Sequence, residues 1–149
     1  MSDIVFISID DTDVVGGEGT GRLARRIALD LNLNVLGITR HQLFIHSSIK
    51  YTKRNSCNVI MAASPNPDVF EAVRDIVLDR FQEGSDPGLA VSQTVPDSIM
   101  EFGQKAQKEV LTKESALKAA EGGRIRLEEL GGSGDGVIGA LAGIGLCSS

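Results

Sequence analysis

Hydrophobic and polar positions alternate along the chain in blocks that predict an α/β protein. Apolar runs rich in valine and isoleucine predict strands at 4–9, 57–63 and 89–91, and one long strand or a pair, broken near Gly37 or His41, over 34–45. Apolar and charged residues alternate over 124–130, as is typical of an exposed strand. These strands are spread along the whole chain, so the segments between them decide the class of fold.

Most of those segments have apolar residues at helical spacing, and the last one follows a glycine-rich stretch. Strands alternating with helices predict a single α/β domain over 1–149, with a mixed β-sheet flanked by helices. The predicted helices run from Thr20 to about Leu31, from Pro67 to near Gly84, from Asp97 to about Val110, over 113–120, and onward from about Gly136.

Charge and cysteine content limit the partners of this domain. With 15 lysines and arginines against 20 acidic residues, the net charge is −5, which argues against unaided binding of nucleic acid. No apolar run is long enough to span a membrane, and the N-terminus lacks the features of a signal peptide. Cys57 and Cys147 lie far apart without metal-site spacing, so we expect free thiols in a reducing cytoplasm.

Three carboxylates follow the first strand. Asp10, Asp11 and Asp13 repel one another, so their density predicts a compensating cation, and Mg²⁺ prefers such oxygen ligands. The alternative is a polar turn with solvated aspartates, because aspartate and glycine are common turn residues. We favour the metal site because solvated turns rarely combine so apolar a strand with so dense a charge.

Two glycine-rich loops each precede a helix. The first contains Gly17 and Gly19, and the second contains Gly134, Asp135 and Gly136. Free backbone N–H groups at a helix start favour phosphate. Neither loop is a Walker A motif or a dinucleotide fingerprint, so the alternative for the second loop is a small-residue helix that packs closely on its neighbours.

Together these features predict a site for a nucleotide and Mg²⁺. Thr20 could contact or accept phosphate, and Arg54 could stabilise charge on a transferred group. Arg22, Arg25 and Arg26 form either a solvated helix face or a phosphate clamp. The expected chemistry is phosphoryl transfer, which needs charge neutralisation and positioning more than covalent catalysis.

A competing interpretation uses the same aspartates. Asp11 and Asp13 after a strand fit the nucleophile motif of haloacid-dehalogenase-like phosphatases. Those enzymes also need a later lysine and a downstream acidic pair, which would begin at Asp135, but Gly139 and Ala140 stand where its second acid should be. The sequence therefore favours the kinase-like hypothesis over the phosphatase hypothesis.

The sequence resembles the N-terminal, kinase-like catalytic domain of the archaeal agmatinylcytidine synthetase that modifies an isoleucine tRNA. Four segments carry the resemblance in the same order: Ile9 to Asp13 with Gly17 and Thr20; Ile49, Tyr51, Arg54 and Asn55; Asp86-Pro87-Gly88, where the family usually has Asn-Pro-Gly; and Gly134 to Ala142.

The resemblance implies an ATP- and Mg²⁺-dependent ligase that activates its acceptor by phosphoryl transfer. It implies that Asp10, Asp11 and Asp13 serve the metal and nucleotide, and that Thr20 becomes phosphorylated. It also implies tRNA as a partner, against which the acidic charge of this chain argues. We expect a stand-alone homologue without the tRNA-binding and zinc-ribbon parts, with an unknown acceptor.

A non-catalytic module that binds the nucleotide remains the rival hypothesis. Such a module could act as a homo-oligomer or need a partner subunit to complete its site. It would retain the glycine loops, whereas the aspartates would be dispensable. An enzyme requires both.

Overall fold

The computed structural model describes residues 4–10, 20–43, 56–63, 68–80 and 85–147. These residues form one α/β domain in which five helices flank a five-stranded sheet, which confirms the predicted fold class. Every predicted helix and strand has a counterpart among them, although the helix that begins at Asp97 ends at Ala106 and leaves Val110, expected on its apolar face, exposed. The strands are β1 (Ile4–Asp10), β2 (Asn34–Gln42), β3 (Ser56–Ala63), β4 (Gly88–Ser92) and β5 (Arg126–Glu129), and the helices are α1 (Thr20–Asp30), α2 (Val69–Arg80), α3 (Asp97–Ala106), α4 (Lys113–Gly123) and α5 (Gly136–Leu146).

The sheet has the strand order β2-β3-β1-β4-β5, and all four of its described pairings are antiparallel. The sequence led us to expect a mixed sheet, because alternating strands and helices usually give parallel neighbours. β1 and β2 do run in the same direction, since both are antiparallel to β3. They are not neighbours, however, because β3 turns back between them. This insertion removes the parallel pairing.

The sheet has an apolar layer on each face. Side chains of β1 alternate between the two faces, so this strand contributes to both layers. Val5, Ile7 and Ile9 belong to a buried cluster with α1 and α2, while Phe6 packs in the cluster with α3, α4 and α5. β1 is therefore the central strand of the sheet and of the core.

α5 packs closely on the sheet because six of its eleven residues are glycine or alanine, and the other five are aliphatic. A Cβ atom at Gly143 would overlap the Ser8 hydroxyl and would lie 2.9 Å from a methyl carbon of Val59. A Cβ at Gly145 would overlap the backbone of Ile99 in α3. The close small-residue packing proposed for this helix from its sequence is therefore present.

No helix in the described part of the chain is long and apolar enough to cross a membrane.

Candidate nucleotide site at the end of the central strand

The register of the sheet brings the end of β1 together with two loops. Asp10 pairs with Gly88 at the start of β4, and Gly88 pairs with Glu129 at the end of β5. Because neighbouring strands are antiparallel, the segment before β4 and the glycine-rich loop after β5 meet at this edge. The loop after β5 contains predicted site residues and the segment before β4 carries part of the family resemblance, so the fold unites motifs that are far apart in sequence.

Asp10 lies beneath the first turn of α5. Asp10 is only 9% exposed, and a Cβ at Gly139 would overlap the Asp10 carboxylate. The partial positive charge of a helix N-terminus stabilises a carboxylate placed there. Asp10 and Gly139 therefore form a fitted pair in which glycine leaves the space that the carboxylate occupies.

The N-terminus of α5 is also close to the start of β4. A Cβ at Gly88 would overlap the backbone of Gly136 and Val137, and a Cβ at Gly136 would lie 3.0 Å from the Asp10 carbonyl oxygen. These contacts are with backbone atoms, which cannot rotate away as a side chain can. Both glycines are therefore required by the close approach of helix and sheet.

Asp86 holds the glycine-rich loop on the sheet edge. Its carboxylate oxygen Oδ1 accepts a hydrogen bond of 2.7 Å from the Ser133 N–H, and its carbonyl oxygen accepts one of 2.8 Å from the Gly136 N–H. Pro87 adds a carbonyl oxygen that accepts from the Leu130 N–H at 2.9 Å. One short segment before β4 thus fixes both ends of the loop.

Several loop amides already have internal partners. The Gly134 N–H donates to the Gly131 carbonyl at 3.0 Å, and the Asp135 N–H donates to the Ser133 hydroxyl at 3.2 Å. With the Gly136 N–H bonded to Asp86, none of the three amides proposed for phosphate binding is free in this arrangement. Direct phosphate binding by these amides would require exchange of those bonds.

The conformation of this loop depends on glycine. Gly132 and Gly134 have positive φ angles of 57° and 77°, which side chains with a Cβ rarely adopt. A Cβ at Gly134 would also come within 2.6 Å of the Glu129 side chain. The glycine at position 134 is thus explained by backbone geometry, independently of any ligand.

Lys113 is a cation beside the loop that the sequence did not single out. Its Nζ donates to the Ser133 carbonyl at 3.0 Å and forms a 2.7 Å ion pair with Glu129. The hydrogen bond from Lys113 to Glu129 raises the pKa of the lysine. Lysine at the start of a helix carries no sequence signal for a loop twenty positions away, which is why it was missed.

A buried thiol lies on the same face of the sheet as Asp10. Burial raises the pKa of Cys57 well above its usual value, and the nearby Asp10 carboxylate raises it further. The Cys57 thiol donates a long contact of 3.9 Å to the His41 carbonyl. Cys57 is thus a protonated core residue and is not an activated nucleophile.

The other predicted site residues are placed less completely. Asp11, Asp13, Gly17, Gly19 and Arg54 lie outside the described residues. The described part of the chain contains no group of three His, Cys, Asp or Glu that could hold a metal ion. The predicted metal ligands include Asp11 and Asp13, so the Mg²⁺ site stays a prediction.

Thr20 is the first residue of α1, and Asp135 immediately precedes α5. Asp135 is exposed and its side chain makes no capping hydrogen bond to the helix. Both residues therefore stand at the helix starts that the sequence predicted.

Similarity to known proteins is found only among solved structures. No protein-family model and no curated protein matches the chain. A crystal structure of TiaS in complex with an isoleucine tRNA and ATP superposes with a TM-score of 0.78 at 25% identity, over 95% of this chain and 36% of that protein. A tRNA fluorescent labelling enzyme gives a TM-score of 0.77 at 25% identity over the same shares.

The apo structure of TiaS, described as a tRNA agmatidine synthetase, superposes with a TM-score of 0.76 at 24% identity over 95% of this chain and 35% of that protein. This chain thus spans about a third of the length of these enzymes. Nearly all of it follows their backbone. The chain shares the fold of one part of TiaS, an ATP-using, tRNA-modifying enzyme.

Proposed function

We propose that this protein is an ATP- and Mg²⁺-dependent phosphoryl-transfer enzyme whose acceptor is a nucleotide of an RNA. The observation that carries the proposal is the junction of Asp10, Gly139 and the glycine-rich loop at one edge of the sheet. The similarity over 95% of this chain to a protein solved with both tRNA and ATP supports it. That protein is much longer than this chain, so the activity is assigned here as a proposal.

Each group at the edge has a role in this proposal. Asp11 and Asp13 bind the Mg²⁺ ion through their carboxylates, and Asp10 is the buried third member of the acidic set. The ion would neutralise charge on the ATP phosphates, which is the main requirement of phosphoryl transfer. Thr20 is a phosphate acceptor at the start of α1, and Arg54 stabilises charge on the transferred group.

The glycines give the nucleotide access to the edge. Gly134, Asp135 and Gly136 border this edge, and Gly17 and Gly19 are assigned to the nucleotide by the sequence alone. Because the amides of the second loop have internal partners, we propose that this loop contributes space and the helix dipole of α5. Direct amide-to-phosphate bonds would form there only if the loop changes its hydrogen bonds.

Calorimetric titration of ATP, with and without Mg²⁺, tests the nucleotide site. We expect Mg²⁺-dependent binding in the wild type and loss of that dependence in Asp11→Asn, because the substitution removes a proposed carboxylate ligand of the ion. Asp75→Asn is the matched control, because Asp75 is an exposed carboxylate in α2, which lies on the other face of the sheet from α5. Removing its charge should leave ATP binding unchanged.

Transfer is tested separately with ATP labelled on the γ-phosphate and an RNA transcript as acceptor. We expect label on Thr20 or release of labelled phosphate that depends on the RNA. Mg²⁺-dependent binding without either product would support the binding-module hypothesis. Phosphate release from a monoester in the absence of ATP, with phosphate trapped on Asp11, would instead support the phosphatase.

A further inference from the structure

The outer face of α1 carries three exposed arginines: Arg22, Arg25 and Arg26. At 3.6 residues per turn these positions fall within an arc of roughly 100°. The arc lies opposite the buried face of the helix, which is formed by Leu23, Ala24 and Ile27. The three guanidinium groups therefore share one solvent-facing surface.

A fourth arginine joins this surface from the sheet. Arg40 of β2 pairs with Asn58 of β3, and cross-strand partners point to the same face. The Asn58 Oδ1 atom lies 3.2 Å from the Cβ position of Gly21, and Arg25 Nη1 lies 3.9 Å from that position. Arg40 is thus on the face of the sheet that α1 covers, and Asn58 lies between it and the first turn of this helix. We call Arg22, Arg25, Arg26 and Arg40 the arginine surface.

No residue of the arginine surface forms an ion pair with another described residue, whereas three other arginines do. Arg74 pairs with Glu128, Arg80 with Asp30, and Arg126 with Glu71. The carboxylate at the end of α1 is therefore already engaged with α2. Four positive charges without a counter-ion among the described residues lie together on a protein whose net charge is −5.

The arginine surface adjoins the candidate nucleotide site. Asn58 pairs with Ile9, the residue before Asp10, so this surface lies at the same end of β1 as the buried carboxylate. Arg40 is on the α1 face of the sheet, whereas Asp10 faces α5. A ligand on the arginine surface would thus reach the site around the end of the central strand.

The guanidinium groups of this surface favour a ligand that carries phosphate groups. The planar guanidinium group binds phosphate oxygens through paired hydrogen bonds, and several such groups in a row match a phosphodiester backbone. The described residues of α1 and β2 include no aromatic side chain on which bases could stack, apart from the His41 ring. Binding there would follow the backbone and not the base sequence.

We propose that the arginine surface binds the phosphates of a single-stranded RNA segment and leads its target nucleotide to the site beside Asp10. A single strand is required because a nucleotide within a duplex cannot reach an active site without leaving its stack. The proposal rests on the RNA acceptor of the proposed function and adds the surface that receives it. It also explains how an acidic protein can bind RNA, since the relevant charge is local.

Fluorescence anisotropy with a labelled, unstructured RNA of about 15 nucleotides tests this over a range of KCl concentrations. Each phosphate contact with a single strand contributes about −0.7 to the slope of log K against log salt. The variant Arg22→Gln/Arg25→Gln/Arg26→Gln should therefore bind at least about tenfold more weakly at low salt, with a slope smaller in magnitude by about 2.

The matched control is Lys105→Gln/Lys108→Gln/Lys118→Gln, which removes the same charge from exposed residues in and after α3 and in α4. These helices pack on the opposite face of the sheet. We expect the control to retain the affinity and the salt slope of the wild type. Thermal unfolding by circular dichroism should show that both triple variants are folded.

Three outcomes would overturn the proposal: no RNA binding by the wild type at the lowest KCl concentration, equal losses in the arginine and lysine variants, or equal competition by polyglutamate of the same charge. Titrating the wild type separately with ATP and with RNA separates the two proposals. RNA binding without ATP binding would reject the nucleotide site and leave the arginine surface standing. ATP binding without RNA binding would reject the surface and the RNA acceptor alone.

Discussion

At the scale of single residues, the fit between Asp10 and Gly139 gives a sharp test of the site. Gly139→Ala should lower the free energy of unfolding by about 1–3 kcal/mol, because the new methyl group overlaps the buried carboxylate. In an Asp10→Ala background the space is vacated, so the same substitution should cost less. Urea denaturation of the wild type, the two single variants and the double variant measures this coupling.

Gly122→Ala is the matched control for that cycle. It also lies in a helix, but a Cβ there meets nothing within 4 Å. We expect it to stabilise the protein by about 0.4–1 kcal/mol through the entropy of the unfolded chain. If the changes in the free energy of unfolding caused by Asp10→Ala and Gly139→Ala were additive, whatever their size, the proposed fit between the two residues would be contradicted.

Burial of Cys147 predicts a dependence of stability on pH. Burial raises the pKa of its thiol from 9.0 to about 11. Between these values the thiol ionises in the unfolded chain but keeps its proton in the folded protein. The contribution of Cys147 to the free energy of unfolding should therefore be fully present below pH 9 and should be lost as the pH rises toward 11. The difference in melting temperature between the wild type and Cys147→Ala should narrow or reverse over this interval, and a constant difference would contradict the prediction.

At the scale of elements, Asp86 predicts how the loop after β5 depends on the segment before β4. Asp86→Ala removes the acceptor of the Ser133 N–H and should cost about 1–2 kcal/mol. Asp86→Asn keeps an oxygen acceptor at that position and should cost much less. Chemical denaturation compares the two, and equal losses would show that the charge of Asp86 matters more than its hydrogen bond.

The elements themselves could be predicted from the sequence, but their arrangement could not. The runs of apolar residues and the helical periodicity are local signals, so the strand ending in Asp10 and the helix after Asp135 were both found. Strand order is decided by contacts between distant residues, and the insertion of β3 between β1 and β2 has no local signal.

The same limit applies to the candidate site. The density of carboxylates identified Asp10, and the glycines identified the loop before α5. The pairing of Asp10 with Gly139 could not be predicted, because it depends on the depth at which α5 packs on the sheet. The sequence identified Arg22, Arg25 and Arg26 as a solvated face or a phosphate clamp, but it did not identify Arg40, which is distant in sequence from α1 and meets it only in the fold.

At the scale of the whole molecule, the two apolar layers share one sheet and should unfold together. β1 contributes alternate side chains to both layers, and Ile7 and Ile60 in the sheet are fully buried. Loss of β1 therefore removes side chains against which the helices of both layers pack. The alternative is that the layer of α1 and α2 detaches while α5 stays on the sheet.

Thiol labelling in urea distinguishes these cases with one buried reporter in each layer. Cys57 reports on the layer of α5 when Cys147 is replaced by alanine, and a cysteine introduced by Val73→Cys in a cysteine-free background reports on the layer of α1 and α2. Lys118→Cys in that background is the exposed control and should react at every urea concentration. We expect each buried thiol to become reactive at the midpoint of its own variant's circular-dichroism transition, because neither layer can keep its apolar surface buried without the shared strand. Labelling of the α2 reporter well below that midpoint would show that α1 and α2 unfold separately from the rest, and the arginine surface would then be carried by the less stable half of the domain.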